Sequence, residues 1–249
     1  MALQEEFESQ GSQLFKYRGS IPLILLVTGI IVFVFSRMNS TGFENYIPFE
    51  IYELLCLIIS FIGLGIRIYT VGYTPENTSG RNTKIQKADV LNTTGIYSMV
   101  RHPLYVGNLF MWLGIAMLVQ SLWYMFAFVL IYWIYYERIM FAEEQFLRRK
   151  FGEVYLDWSK KTPAFLPSTK NFSSPSMSFS WKKALKKEKN GFAAIFLVFF
   201  IFRAIGDYIN TGSLVLNSWL AYTAAITFIL YFILKYLKRY TPIFDEENR

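Results

Sequence analysis

A long run without a charged residue constrains this chain more than any other feature. The stretch Pro103–Tyr136 contains more than thirty residues and no Asp, Glu, Lys or Arg. A single helix of that length would measure about 50 Å, well beyond the roughly 30 Å hydrocarbon core of a bilayer. Gln120 and Ser121 interrupt the run near its middle. We therefore predict a tight helical hairpin with arms at about 103–119 and 121–138.

Four more apolar blocks flank this hairpin. Hydrophobic residues make up 53% of the 249 residues and the mean hydropathy is +0.30, which excludes an ordinary soluble domain. We predict an all-α, polytopic transmembrane helical bundle of about six spans, with the hairpin contributing two of them. The other four are expected at Ile21–Ser36, Phe49–Val71, Gly191–Ile209 and Leu214–Leu234.

The segments between the spans are polar. We expect Met1–Tyr17 to lie along the membrane interface or to be partly disordered. The stretch Phe141–Lys160 places apolar residues at helical spacing among charged ones, which predicts a separate amphipathic helix on the membrane face. The chain accordingly divides into an N-terminal segment with the first span (1–48), a core (49–167), a basic linker (168–190) and an appended pair of spans with a tail (191–249).

The basic residues predict the orientation of the spans. With six spans, 22 of the 25 Lys and Arg residues fall on one side, in the two terminal segments, the 72–102 loop and the 138–190 segment. Because short loops rich in Lys and Arg stay in the cytoplasm, both termini are predicted to be cytoplasmic. The net charge of +7 follows from this topology and from attraction to anionic lipid, so no nucleic-acid partner is predicted.

A short polar segment, Arg101-His102-Pro103, lies at the start of the first hairpin arm. Its centre is His102, the only histidine of the chain, between Arg101 and Pro103. Proline suits the first turn of a helix because its missing N–H would have no partner there. We expect Arg101, His102 and the free N–H groups of this turn to converge on one site. The hairpin returns the chain to the same surface, where Glu143 and Glu144 face this site and favour a zwitterionic, cationic ligand.

Metal and disulfide chemistry are not predicted. Cys56 is the only cysteine and lies inside an apolar run, so the chain has no disulfide framework. One histidine and one cysteine do not make a structural zinc site.

Several motifs occur in a fixed order around the polar segment Arg101-His102-Pro103. They are Gly95-x-Tyr97, Arg101-His102-Pro103-x-Tyr105-x-Gly107, Glu143-Glu144, Phe151-Gly152-x-x-Tyr155 and Pro163-x-x-x-Pro167. Together with Arg67 near the end of the preceding span, they resemble the isoprenylcysteine carboxyl methyltransferase family and its phospholipid methyltransferase relatives. The resemblance covers roughly residues 60–167. It implies methyl transfer from S-adenosyl-L-methionine to a lipid-borne acceptor at the cytoplasmic face of the membrane.

The resemblance also implies a cytoplasmic cofactor pocket. Its predicted lining is Tyr97, Arg101, His102, Pro103, Tyr105, Gly107, Glu143 and Glu144. The methionine carboxylate of the cofactor needs a cation or a helix N-terminus, whereas its ammonium and ribose hydroxyls need carboxylates. The candidate catalytic residues are Arg67, Arg101, His102 and Arg138, and the candidate substrate-binding residues are Arg67 and Arg203.

The acceptor is left open between three groups. A lipid phosphate is slightly preferred because arginines outnumber candidate bases, and the alternatives are an isoprenylcysteine carboxyl group and an amine head group. The two appended spans favour a lipid enzyme of the bacterial inner membrane. Two rival functions remain, an NADPH-dependent membrane reductase of the sterol-reductase type and a non-enzymatic transporter or scaffold. The oligomeric state is not predicted.

Two charges lie inside the fifth predicted span. Arg203 and Asp207 are four residues apart, so they share a helix face and are able to pair. One interpretation is an internal ion pair that fixes this helix against the bundle. The other is a contact of Arg203 with a lipid head group or phosphate.

Overall fold

The chain folds into helices throughout the described residues, which are 2–39, 48–76, 78 and 86–246 of a computed structural model. The predicted all-α class is confirmed. Parts of the predicted loops at 37–48 and 72–101, and the end of the tail, lie outside the described residues. The helices are α1 (Leu3–Lys16), α2 (Ile21–Met38), α3 (Phe49–Gly72), α4 (Pro103–Leu118), α5 (Leu122–Phe151), α6 (Glu153–Lys161), α7 (Trp181–Thr211) and α8 (Trp219–Tyr240), with short 3-10 turns at Gly95–Ser98 and Pro242–Phe244.

Five of these helices are long and apolar enough to cross a membrane, namely α2, α3, α5, α7 and α8. Helix α4 is equally apolar but has only 16 residues. The six apolar helices occupy the six predicted places. Large apolar side chains such as Phe35, Phe126 and Phe228 are exposed on their outer faces, as expected for surfaces that contact lipid. The chain thus has the features of an integral membrane protein.

The predicted hairpin consists of α4 and α5. Gln120 ends the first arm in a left-handed conformation, with φ at 58°, and Ser121 is the N-cap of the second arm. The second arm differs from the prediction because α5 continues for 30 residues to Phe151. Gly152 then breaks the helix, since its φ of 56° is a conformation that glycine adopts without a steric penalty. The predicted single amphipathic helix at Phe141–Lys160 is therefore wrong, and its two halves belong to α5 and α6.

The N-terminal segment is helical and packs against α5. Phe15 is buried, and Gly11 lies so close to the backbone carbonyl of Arg138 that no larger residue would fit. The hydroxyl of Tyr135 donates a hydrogen bond to the carbonyl of Leu14 at 2.8 Å. These contacts contradict the expected partial disorder for residues 3–16. They place α1 against the part of α5 that approaches Glu143.

Small residues bring α3 and α4 into close contact. Gly63 faces the backbone of Gly107, and Gly114 faces the backbone and hydroxyl of Ser60, at distances that leave no room for a Cβ atom. Close packing through small residues is a common way for transmembrane helices to associate. Helix α7 packs against both α3 and α4, with Phe199 and Phe202 fully buried. Since α7 begins at Trp181, the basic run before the fifth span forms the first turns of the same helix.

Candidate functional site

The hairpin brings the polar segment at Arg101-His102 into direct contact with the glutamate pair. His102 lies at the N-terminus of α4, and its Nε2 is 2.9 Å from Oε1 of Glu144 on α5. The other ring nitrogen, Nδ1, is 3.6 Å from Oε2 of Glu143. Arg101 Nη1 adds a contact of 3.2 Å to Oε2 of Glu144. The predicted proximity across 42 residues is confirmed, and both glutamates face His102. We call these four residues the His–Glu cluster.

Tyr105 ties the first turn of α4 to the same cluster. Its hydroxyl donates a hydrogen bond to Oε1 of Glu143 at 2.8 Å. Its ring lies nearly parallel to the imidazole of His102, with centroids 5.7 Å apart. The hydroxyl of Tyr132 in turn donates to the carbonyl of Tyr105 at 2.7 Å. Tyr105 thus fixes Glu143 and His102 relative to the hairpin.

The segment after α6 holds the backbone of the cluster in place. The N–H of Arg101 donates to the carbonyl of Pro163 at 2.9 Å, and that of His102 to the carbonyl of Ala164 at 3.2 Å. The N–H groups of Tyr105 and Val106 donate to the carbonyl of His102. The prediction that free N–H groups of this turn converge on the site is wrong for these four donors. These four N–H groups are therefore not free to contact a ligand.

The environment of His102 favours its protonated form. Burial of the imidazole lowers its pKa, but the hydrogen bonds and negative charges of Glu143 and Glu144 outweigh burial and raise the pKa above the ordinary histidine value. One carboxylate lies within hydrogen-bond distance of Nε2 and the other lies 3.6 Å from Nδ1, so both negative charges stabilise a protonated ring. His102 is therefore a poor proton acceptor near neutral pH.

Tyr97 lies within electrostatic range of the His–Glu cluster and of a second group of charges. Trp158 of α6 donates a hydrogen bond to its carbonyl at 3.1 Å. Burial and the charge of Glu143 raise the pKa of Tyr97, while the nearby Asn92 amide and the charge of Arg67 act in the opposite direction. Glu143 and Arg67 therefore both act on this one phenol.

The second group is centred on Arg67 of α3. Its Nε and Nη2 donate to the two carboxylate oxygens of Glu188 on α7, at 2.8 and 2.6 Å. Its Nη1 donates to Oδ1 of Asn108 on α4 at 2.7 Å. Sequence reasoning singled out Arg67 but missed both partners. Glu188 gave no signal because it stands in a run of lysines, and Asn108 gave none because it follows the motif that ends at Gly107.

Tyr155 of α6 is a further member of the site that the sequence did not single out as functional. It lies next to Arg101 and Glu144, and burial together with the charge of Glu144 raises its pKa. Its hydroxyl and the Nε of Arg101 are both buried without a hydrogen-bond partner among the described residues. Two unpaired polar atoms beside two carboxylates are a chemical fit for a polar, zwitterionic cofactor, because a buried donor without a partner is costly.

Two predicted site residues are engaged elsewhere. Arg138 stacks on the ring of Phe7 in α1, with its Cζ 3.4 Å from the ring centroid, and lies 3.6 Å from Glu137. Arg203 pairs with Glu53 of α3 through Nη2 at 2.6 Å and Nε at 3.2 Å. The structure joins neither to the His–Glu cluster. The ion pair of Arg203 is an internal one, but its partner is Glu53 on another helix.

Two other predicted residues have a structural explanation in addition to any role with a cofactor. Pro103 is buried at the first position of α4, as predicted. Gly107 packs against α3, where an added Cβ would lie 2.6 Å from Cγ of Arg67 and 2.8 Å from the carbonyl oxygen of Gly63. The predicted approach of Gly107 to a ligand stays a prediction, since the contact with α3 alone requires glycine.

Two cavities among the described residues lie elsewhere, one among apolar residues around Trp112 and the other between α1 and α5 near Phe7. The predicted cofactor pocket therefore stays a prediction that is supported by the side-chain cluster. No group of His, Cys, Asp and Glu side chains within the described ranges is able to hold a metal ion.

Residues 54–154 match the phospholipid methyltransferase family. This segment contains Arg67, Tyr97, the His–Glu cluster and Asn108, but neither Tyr155 nor Glu188. The resemblance predicted from the motifs is confirmed over this part of the chain.

Named relatives match stretches of about 86 to 115 residues. The cobalt-zinc-cadmium resistance protein CzcN of Cupriavidus metallidurans is 34% identical over 113 residues, which are 45% of this chain and 50% of that protein. The nickel-cobalt-cadmium resistance protein NccN of Alcaligenes xylosoxydans xylosoxydans is 36% identical over 45% of this chain and 51% of its own length. The protein-S-isoprenylcysteine O-methyltransferase of Schizosaccharomyces pombe is 38% identical over 34% of this chain and 36% of its own length.

The chain thus spans about half the length of the two resistance proteins and about a third of the fission yeast enzyme. No solved structure matches the chain.

Proposed function

We propose that this chain is an integral membrane methyltransferase that uses S-adenosyl-L-methionine and modifies a lipid-borne acceptor. The observation that carries the proposal is the His–Glu cluster, in which Arg101, His102, Glu143 and Glu144 meet inside the segment that matches the phospholipid methyltransferase family. The names of the isoprenylcysteine O-methyltransferases among the relatives support the reaction type.

The residues of the cluster have distinct parts in holding the cofactor. Bound S-adenosylmethionine supplies a methyl group that is already activated on a sulfonium centre. Arg101, with its unpaired buried Nε, is the cation for a carboxylate, and Glu143 and Glu144 are the acceptors for an ammonium or for hydroxyls. Tyr97 and Tyr105 present aromatic rings on which an adenine or a cationic group stacks, a contact that contributes about 0.5–2 kcal/mol.

The rate would come from holding and dehydrating the acceptor rather than from acid–base chemistry. Because the two carboxylates beside His102 raise its pKa and favour the protonated ring, it is poorly suited to deprotonate an amine. An acceptor that arrives as an anion needs no base and needs an orienting cation, for which Arg67 is available beside Tyr97. We therefore propose an anionic acceptor, with a lipid phosphate as the first choice and the carboxylate of a prenylated cysteine as the second.

We further propose that the site faces the cytoplasm and that the chain resides in a bacterial inner membrane. The unequal distribution of Lys and Arg supports the first part, because most basic residues lie at the end of the bundle that carries the site. The orientation is testable by reaction of single cysteines near Lys16 and Asp245 with a membrane-impermeant thiol reagent in intact cells, after replacement of Cys56 by serine. Labelling from outside would contradict a cytoplasmic site.

Calorimetric titration with S-adenosylhomocysteine tests the cofactor assignment. We expect the purified protein in detergent to bind this product, and Glu144→Ala and His102→Ala to weaken binding at least tenfold. Glu153→Ala, which removes an exposed glutamate from α6, is the matched control and should bind as the wild type does. Equal affinity in all four proteins would contradict the site. Binding of NADPH in place of S-adenosylhomocysteine would identify a reductase, and binding of neither would favour a transporter or scaffold.

The acceptor is identified by following radiolabelled methyl groups. Membranes that contain the protein are incubated with methyl-labelled S-adenosylmethionine, and lipid and protein fractions are separated. We expect the label in the lipid fraction as a methyl ester of a phosphate, identified by mass spectrometry of the labelled lipid. Label in the protein fraction would support the prenylcysteine alternative, and label on a head-group nitrogen would support an amine acceptor.

A further inference from the structure

One arginine of the candidate site takes its main partner from a helix outside the matched segment. Arg67 lies within residues 54–154, whereas Glu188 lies on α7, well beyond that segment. The pair is bidentate, with contacts of 2.8 and 2.6 Å, and the exposed fractions of the two side chains are 13% and 4%. A buried, bidentate pair has a fixed geometry, which sets it apart from a mobile surface contact.

The surroundings of Arg67 leave part of its guanidinium for a ligand. Three of its five N–H groups donate to Glu188 and Asn108. Its aliphatic stem lies against Gly107, where even a methyl group would clash with Cγ. The stem is thus fixed by α4 and the plane of the head group is fixed by Glu188. The other two N–H groups donate to no described residue and remain for oxygen atoms of another molecule.

Arg67 is connected to the His–Glu cluster through polar and aromatic contacts. Asn108, which accepts from Arg67, lies close to the hydroxyl of Tyr136. The ring of Tyr136 lies 4.8 Å from that of Tyr105, whose hydroxyl donates to Glu143. Tyr97 is the second connection, since the charges of Arg67 and Glu143 both act on its phenol. A molecule that contacts the free N–H groups of Arg67 would thus lie next to the proposed cofactor.

We propose that Glu188 is a positioning residue for the acceptor. It holds the guanidinium of Arg67 in one orientation, with two N–H groups directed to an anionic oxygen of the acceptor. Helix α7 thereby contributes a residue to the acceptor site. This inference rests on the proposed function. It assigns Glu188 no contact with the reacting atoms, so its loss should weaken acceptor use and leave cofactor binding intact.

The test compares Glu188→Gln with the wild type in two measurements. Calorimetry gives the affinity for S-adenosylhomocysteine, and methyl incorporation into total lipid extract of the source membrane gives KM and kcat for the acceptor. We expect Glu188→Gln to bind S-adenosylhomocysteine within twofold of the wild type and to show a KM for lipid raised at least tenfold. Glu188→Asp keeps the charge and should recover part of the loss.

Glu53→Gln is the matched control, because it removes the same charge from the partner of Arg203 on the same pair of helices. It should leave KM for lipid unchanged even if it lowers stability. An unchanged KM in Glu188→Gln, or an equal rise in both variants, would overturn the inference. So would a wild-type protein that binds S-adenosylhomocysteine but methylates no lipid. A wild-type protein that does not bind S-adenosylhomocysteine would instead refute the proposed function itself.

Discussion

Two buried ion pairs join α3 to α7, and they differ in what surrounds them. Arg67 pairs with Glu188, and Arg203 pairs with Glu53, both through two N–H···O contacts. The arginine is on α3 in the first pair and on α7 in the second. Because Glu53 and Arg67 are fourteen residues apart on α3, the pairs are separated by about 21 Å along the helix.

The swapped order of charges has a consequence for folding. If α7 were reversed beside α3, Arg67 would face Arg203 and Glu53 would face Glu188. Like charges at both contacts would be strongly unfavourable in a medium with little water. We infer that the two pairs together specify the antiparallel arrangement of these helices.

The neighbours of the two arginines give them different roles. Arg67 donates to Asn108 and acts on Tyr97, so it is part of the candidate site. Arg203 instead stacks on Phe49, with its Cζ 4.8 Å from the ring centroid, and Arg37 stacks on the same ring at 4.5 Å. The Arg67–Glu188 pair is thus connected to a polar site, whereas the Arg203–Glu53 pair is connected to an aromatic contact. Chemical identity alone does not distinguish them.

The largest effect is expected from Glu53→Ala. Removal of one partner from a buried ion pair leaves the other charge uncompensated, which costs about 3–5 kcal/mol of the free energy of unfolding. Thermal unfolding of the protein in detergent measures this loss. S-adenosylhomocysteine affinity of the folded protein should stay within twofold of the wild type, because the pair lies far from the His–Glu cluster.

Glu50→Ala is the control for that experiment. Glu50 lies 3.7 Å from Arg203 but is 72% exposed, so its contact belongs to the class of surface pairs that contribute about 0–1 kcal/mol. If Glu53→Ala were no more destabilising than Glu50→Ala, the ion pair between Arg203 and Glu53 would not hold α3 and α7 together.

A smaller loss is expected from Gly107→Ala. The new methyl group would lie 2.6 Å from Cγ of Arg67 and 2.8 Å from the carbonyl oxygen of Gly63. Overpacking of this kind costs about 1–3 kcal/mol. Gly65→Ala is the control on α3, because its Cβ would meet no atom within 4 Å and alanine has the higher helix propensity. A stability of Gly107→Ala equal to that of Gly65→Ala, measured by thermal unfolding, would contradict the close contact of α3 with α4.

Sequence reasoning reached those parts of the site that depend on one hairpin. A break at Gln120 and two apolar arms suffice to bring His102 and Glu144 together, and the structure places them 2.9 Å apart. The length of α5 was less predictable. The charged turns after Glu143 have the pattern of a separate helix, whereas the actual break is at Gly152, whose positive φ is not visible in a hydrophobic pattern.

Contacts between distant helices could not be predicted from spacing. Arg67 and Glu188 are 121 residues apart, and Arg203 and Glu53 are 150 apart. For Arg203 the local rule pointed to Asp207, four residues on, which contributes charge but does not form the ion pair. The partner is Glu53 because it is the glutamate that α3 presents to the interior, with only 1% exposure. Such pairings depend on the packing of α3 against α7, which no local pattern contains.

The His–Glu cluster and the Arg203–Glu53 pair should also differ in their effect on how stability depends on pH. His102 has a raised pKa in the folded protein because of Glu143 and Glu144. Its contribution to stability is therefore complete below the unfolded pKa of about 6.5 and is lost as pH rises through the higher folded value. Unfolding temperatures measured from pH 6 to 9 should fall more steeply for the wild type than for His102→Gln. Parallel profiles would show that His102 does not titrate differently in the folded state. Glu53→Gln should keep the wild-type slope, because it leaves His102 in place.

The smallest effect on stability is expected from Tyr155→Phe. The hydroxyl of Tyr155 is buried beside Glu144 without a hydrogen-bond partner among the described residues, so its removal should change the free energy of unfolding by less than about 0.5 kcal/mol. If this hydroxyl hydrogen-bonds to a polar group of the bound cofactor, the same substitution should weaken S-adenosylhomocysteine binding about two- to thirteenfold, since a hydrogen bond contributes about 0.5–1.5 kcal/mol.

Tyr52→Phe removes a hydroxyl that, unlike that of Tyr155, already has a hydrogen-bond partner. The hydroxyl of Tyr52 donates to the carbonyl of Met117 at 2.7 Å, so its loss should cost about 1 kcal/mol of stability and leave binding unchanged. Thermal unfolding and calorimetry on both variants separate the two outcomes. A pattern in which Tyr155→Phe loses stability but not affinity would make Tyr155 a packing residue. The reverse pattern would mean that an unsatisfied hydroxyl identifies a ligand site in this bundle more reliably than a satisfied one, because the folded chain alone gives it no partner.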